Sequence, residues 1–264
     1  MRNREISTFN TPLTIQVAVV RNKKMILPLN SHIRNPPTIL LPKQVVSFNA
    51  IRYSIDISQI SYERLINNLS ELTDDGKIEP LMFPEIFLDV WSIINNAQMF
   101  GKIICKEFKI PKNHPKLSEI NKAINFRNSN QHFEERISQV LSEKDLPIYG
   151  FLSWMKNHQK TNEITFSTIY SGTFTNKKKV SMSISNENHT ELNEIIQKIE
   201  FSNVVREKDR NKSWVFNERK ISISKLMSDL KDWIDGFNLE INNQIEKMDN
   251  LEKHRSDLII QMKG

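Results

Sequence analysis

Residues 120–137 read INKAINFRNSNQHFEERI, and the rest of the chain is legible as a frame built to hold them. Phe126, Phe133, Ile137 and Val140 recur at helical spacing, which predicts an apolar stripe along one side of a helix. Asn128, His132 and Glu135 fall at i, i+4 and i+7 along a different side, and Arg127, Gln131 and Glu134 line up beside them. Positions three and four apart share a helix face, so one side packs while the other presents Arg, Asn, Gln and His together. This helix is expected over 115–143, opened by Pro115 and Lys116 and closed by Asp145 and Pro147.

The flanking segments carry the same period. Over 84–108, Phe87, Val90, Trp91, Ile94, Ala97, Gly101, Ile104, Cys105 and Phe108 mark the buried face of a helix, with Pro84 in its first turn and Glu85 near its positive end. Upstream, Val45, Phe48, Ile51, Ile55, Tyr62, Leu65, Ile66 and Leu69 come at threes and fours, with a gap near Ser58. One long helix from Lys43 to Leu72 is the preferred reading; a strand over 44–53 followed by a helix from Ser58 is the alternative. From Ser222 the helical pattern returns and runs to the end, with Leu226, Leu230, Trp233, Phe237, Ile241, Ile245 and Met248 on its core side.

Between these helices the period changes. Residues 148–154, 164–170 and 180–185 are rich in β-branched and aromatic side chains, which predicts a hairpin or small sheet. The linking stretch SGTFTNKKK at 171–179 reads as a turn with a basic tip, ELNEIIQKI at 191–199 as a short helix, and 212–216 as a further extended piece. At the other end TPLTIQVAVV at 11–20 alternates, RNKK at 21–24 turns, MILPL at 25–29 follows, and Pro28, Pro36, Pro37 and Pro42 punctuate what comes next. The expected fold is α+β, mainly α. Residues 43–144 and 222–250 form a four-helix bundle, a small antiparallel β insertion lies at about 147–217, and residues 1–42 form an extended or β N-terminal arm set before a domain spanning 43–264.

Composition narrows the chemistry. A chain of 264 residues with 38% hydrophobic and 26% charged content can bury a full core. Glycine is scarce at six, and there is no G-x-G-x-x-G, Walker A or G-x-S-x-G motif, which excludes nucleotide sites built on Gly-rich loops and the hydrolase elbow. The single cysteine, Cys105, excludes an intrachain disulfide and zinc sites built on Cys pairs, and reads as a small buried residue on a helix face. No metal cluster is evident, so no cofactor is expected. MRNREISTFN has no apolar core, and no run approaches the length of a membrane span. The expected place of work is therefore a reducing cytoplasm, away from membranes. A net charge of +6 leans toward a polyanionic partner such as RNA.

Arg127, Asn128 and His132, in RNSNQH, resemble the signature of the HEPN superfamily, a group of helical nucleotide-binding and ribonuclease domains. That signature is Arg, often followed by a polar residue, with His four to six residues further on, carried on a helix within a bundle. The resemblance implies an endoribonuclease that needs no metal and serves as a toxin or antiviral effector. It also implies a homodimer in which two motifs share one cleft, with an antitoxin or nucleotidyltransferase as a further partner.

The residue types suit that chemistry. Attack by a 2′-hydroxyl needs a group to take its proton, a group to protonate the leaving 5′ oxygen, and a cation for the phosphorane charge. His132 suits the proton steps because an unperturbed imidazole titrates at about 6.5. Arg127 suits the charge, since its planar fork pairs with phosphate oxygens. Asn128 is placed to fix the imidazole tautomer or hold the phosphate. Gln131 and the Lys177, Lys178 and Lys179 cluster are the candidate RNA contacts, with a plain solvated turn as the alternative for the lysines. His32, His114, His158, His189 and His254 have no comparable neighbours, and Trp154, Trp214 and Trp233 read as core. Two other functions fit the pattern: the same fold binding nucleotide or RNA, or assisting a partner, without cutting; and a structural protein that dimerises through its long C-terminal helix.

Overall fold

The computed structural model describes residues 25–75, 79–131, 133–141, 146–172, 189–209, 211, 213–245, 252, 253, 257, 259 and 261. The alternating segment 11–20 and the extended piece 180–185 lie outside these residues; the helix expected to run to the end is not continued at the described residues 252, 253, 257, 259 and 261, where Lys253 bridges Pro37.

Helix α1 runs unbroken over Pro42–Asp75, so the strand alternative at 44–53 does not hold. The gap near Ser58 is filled by serines. Ser54, Ser58 and Ser61 are all buried. Ser54 and Ser58 donate their hydroxyls back to the carbonyls of Ala50 and Ser54 at 2.8 and 2.7 Å, and Ser61 donates to Ser92 on the next helix at 2.9 Å. A hydroxyl satisfied in this way packs like a small apolar side chain. Helix α2, Met82–Glu107, lies against α1. Their contact contains the fully buried Asp89, held by the Arg64 guanidinium through bonds of 2.5 and 2.8 Å. Cys105 on α2 is half-buried and packs at the core margin.

The expected single helix over 115–143 is divided. A 3-10 turn, Pro115–Leu117, leads into helix α3, Ser118–Gln131. A further helical turn, Phe133–Arg136, continues into a π-helical turn, Ile137–Leu141. That change of winding rotates the apolar stripe. Phe126 is buried, but Ile137 is 39% exposed and is no part of the core.

The β portion is larger than an insertion. Strands β1 (Phe151–His158), β2 (Glu163–Tyr170), β3 (Ile196–Lys208) and β4 (Trp214–Ser222) form one antiparallel sheet in the order β2-β1-β3-β4. The short helix expected at 191–199 is not formed; Ile196 opens β3, and the Asn193 side chain accepts the Ile195 and Ile196 amide protons at 2.8 Å. The piece expected at 212–216 is the start of the nine-residue β4. Gly150 precedes β1 with φ of 99°, where a Cβ would lie 2.5 Å from the Ser202 carbonyl oxygen, so only glycine lets β1 enter the sheet beside β3.

Helix α4, Ile223–Ile245, follows β4 directly and packs on the other three helices. Helices and sheet share one core. Phe201 of β3 meets Phe87 and Trp91 of α2 and Phe126 of α3 at ring distances of 6.5, 5.3 and 5.6 Å. At the other end Phe48, Phe108 and Phe237 join α1, the end of α2 and α4. Trp154 is buried as expected and donates to Thr73 of α1 at 2.9 Å, and Trp233 is half-buried and donates to the Lys116 carbonyl at 3.1 Å. Trp214 is 56% exposed, contrary to its reading as core, and lies under the Arg206 and Lys208 cations of the facing strand.

The described part of the N-terminal arm, residues 25–41, is neither extended nor a strand. It is a series of turns pinned to α1 by the Arg34–Asp56 pair, with Leu27 and Ile33 fully buried. Leu27 and Ile33 belong to the same core as the helices, and α1 begins at Pro42.

Candidate functional site: the α3 end and its groove

Helix α3 is held along its length by three neighbouring elements. Below it, Gly101 of α2 allows Ile120 to approach so closely that an added Cβ would lie 2.6 Å from the Ile120 Cγ2. At its start the buried Glu119 carboxylate accepts the Ser222 amide proton at 2.7 Å and pairs with Lys122, which ties α3 to the junction of β4 and α4. At its end it meets β3. Pairing of β1 with β3 stops at Phe151 and Ser202, so β3 and β4 continue beyond as a two-stranded ribbon with one open edge. Ser129 fills that edge: its Oγ accepts the Arg206 amide proton at 2.5 Å and donates to the Asn125 carbonyl at 2.9 Å. Glu135 pairs with the Arg206 side chain at 2.9 Å. Arg136, fully buried beneath the ribbon, donates to Asn203 Oδ1 at 2.6 Å. Burial pushes the Arg136 guanidinium down to about 10, so it remains charged at neutral pH.

With the Phe126 side of α3 fixed inward, Arg127 is half-buried and Asn128 is exposed. The structure therefore brings these two candidate residues together at the surface of a helix end that is itself rigidly seated. Gln131 closes α3, but its side chain lies outside the described residues, as do His132, Lys177, Lys178 and Lys179. Glu135, aligned with His132 by sequence spacing, is committed to Arg206.

Next to this end a groove of about 580 Å³ runs between α2, α3 and the segment entering β1. Phe83, Phe87, Leu88 and Trp91 of α2 form one wall, and Ile148 and Tyr149 face them. The polar lining groups include the Asn95 amide of α2 and the Asn130 amide of α3, both half-buried, and no described residue hydrogen-bonds either side chain. No charged residue lines the groove among those described. This volume and this mix of apolar wall with a few polar groups are those of small-ligand sites in general. The sequence reading named Arg127, Asn128 and Gln131 in α3 but passed over Asn130 and Asn95. The signal for Asn95 was present: Asn95 and Asn96 interrupt an otherwise apolar run in α2.

Among the described residues no group of three or more His, Cys, Asp and Glu side chains is gathered to hold a metal ion, and no helix is long and apolar enough to cross a membrane. No protein-family model, curated protein or solved structure matches this chain.

Proposed function

We propose that this chain is a metal-independent endoribonuclease of the HEPN kind, acting as a homodimer on RNA. The observation that carries the reading is the seating of the motif helix. Arg127 and Asn128 lie on the side of α3 turned away from Phe126, on a helix whose first turn is fixed at Gly101 and Glu119 and whose last turn is fixed by Ser129. Preorganised charge of this kind is what stabilises a transition state, because no reorganisation is needed as the reaction proceeds.

In the reaction the RNA 2′-hydroxyl oxygen attacks the adjacent phosphorus and the bond to the 5′ oxygen breaks. The products are a 2′,3′-cyclic phosphate and a 5′-hydroxyl. His132 moves protons, from the 2′-hydroxyl or to the leaving oxygen, and Arg127 pairs with the phosphorane oxygens. One motif supplies one imidazole, so the second proton step falls to the motif of a two-fold related chain.

The test is cleavage of a labelled RNA in excess EDTA by wild type, His132→Ala and Arg127→Ala, with melting temperatures recorded alongside. Both variants should lose cleavage by at least a hundredfold while melting within a few degrees of wild type. Arg127→Ala should also weaken RNA binding, since a phosphate contact is lost. Light scattering on the same preparations should give twice the 31.0 kDa chain mass. Full activity in His132→Ala ends the ribonuclease reading. Loss of activity with a collapse in melting temperature makes His132 structural and favours a protein that binds without cutting.

A further inference from the structure

The groove beside the motif helix suggests what the enzyme reads. We infer that it holds one nucleobase of the RNA strand, packed against the aromatic wall of α2 and recognised at its edge by the Asn95 and Asn130 amides. This rests on the reading that RNA is the substrate.

Three observations converge on a base. The wall is apolar and largely aromatic, from Phe83, Phe87 and Trp91, with Tyr149 opposite, and single-stranded RNA is recognised largely by unstacked bases packed on such side chains. The absence of charge among the described lining residues suits a neutral ring and disfavours a phosphate, a carboxylate or a basic peptide side chain. The two amides carry both donors and acceptors and are not hydrogen-bonded by any described residue, and an Asn amide can pair with two atoms on one base edge at once. The nearby Ser171 hydroxyl is by contrast already committed: it accepts the Tyr149 amide proton at 2.7 Å and donates to the Gly150 carbonyl at 2.8 Å.

Position links the groove to the chemistry. Asn130 follows Arg127 by three residues, about 4.5 Å along the axis and on the same side of α3. A nucleotide whose phosphate meets Arg127 can therefore turn its own base into the groove. The groove would then set which base stands beside the cut, while Arg127 and His132 perform it.

The experiment separates binding from cutting. Four fluorescent homopolymer octanucleotides, of A, C, G and U, each blocked by 2′-O-methyl groups so that they cannot be cleaved, are titrated by anisotropy. Wild type should prefer one base over the least favoured by about tenfold or more. The double variant Asn95→Ala/Asn130→Ala should reduce that spread below about threefold, with the salt dependence unchanged because no phosphate contact is removed. Leu88 is 60% exposed at the groove wall, so Leu88→Glu should fold normally and weaken the preferred oligonucleotide about tenfold by placing a carboxylate beside it.

If wild type binds all four equally, or the double variant keeps the full preference, the inference fails, and cleavage lost in His132→Ala would still uphold the ribonuclease. If wild type binds none of the oligonucleotides and cleaves no RNA, both readings fall together.

Discussion

Arg136 shows how far a single residue's environment can depart from its sequence context. In the run FEER it resembles one more charge on a solvated helix face, with acids at 134 and 135 to pair with. Instead it is fully buried, because β3 and β4 extend past β1 and lie across it, and its partner Asn203 is distant in sequence. A guanidinium taken out of water must be hydrogen-bonded to be tolerated, and removing it leaves both a cavity and an unpaired amide. Arg136→Ala should therefore cost about 3 kcal/mol in urea denaturation. Arg136→Met should cost clearly less, since it refills the volume with an apolar chain. Equal losses in the two variants would mean that the hydrogen bond and the charge, and not the filled volume, are what matter there. The candidate site divides in the same way. Arg127 and Asn128 are singled out by a local pattern on one helix, whereas Ser129 gains its role only from the strand edge it meets in space.

At the scale of elements, the parts read correctly were those whose signal is local. Helix α2 and strands β1 and β2 follow from residue spacing and turn chemistry within a few positions. Strand β3 was misread at its start because it has no alternating pattern. Its residues 199–205 are buried without a break, packed on α3 and α4 and paired with a strand on each side for much of their length. A strand buried on both faces loses the period of two that would reveal it, and the spacing of Ile195, Ile196 and Ile199 then imitates a helix. The π-helical turn after α3 misled in the opposite sense, since it breaks a helical period that the sequence continues.

The close crossing of α2 and α3 sets where the motif helix lies, and Gly101 permits it. Gly101→Val puts branched carbon into the space of the Ile120 side chain. The expected loss is about 2 kcal/mol, read as a fall in melting temperature of about 5 °C. A variant that melts with wild type would show that α3 shifts freely on α2, and the rigid seating argued for Arg127 and Asn128 would fail with it.

Over the whole molecule, the two described ends of the chain close on one another, which no local pattern announced. The Thr38 amide proton is accepted by the Glu252 carbonyl at 2.9 Å, and Pro37 and Lys253 form an isolated antiparallel bridge. A few residues on, Asp257 takes a two-pronged bond from the Arg52 guanidinium at 2.7 Å on each oxygen, and Tyr53 adds its hydroxyl at 2.8 Å. The tail thus clasps the start of α1 and the turns before it.

The hydrogen bond from Arg52, then that from Tyr53, hold the Asp257 carboxyl down to about 2, against an ordinary aspartate value of about 3.9. Because the folded-state value is the lower one, the clasp's contribution is complete above the ordinary carboxylate range and is lost as pH falls through the folded value of about 2. A carboxyl-detected NMR titration should therefore give Asp257 a midpoint of about 2, and a midpoint near 4 would mean that the clasp does not form in solution. Asp257→Asn removes the charge at every pH. At neutral pH it should speed hydrogen exchange at the Thr38 amide by about tenfold or more, because the Glu252 carbonyl is no longer held against it. Amides in the middle of α2, inside the shared core, should exchange as in wild type. If they too accelerate, the tail would be supporting the whole fold and not only the segment it covers.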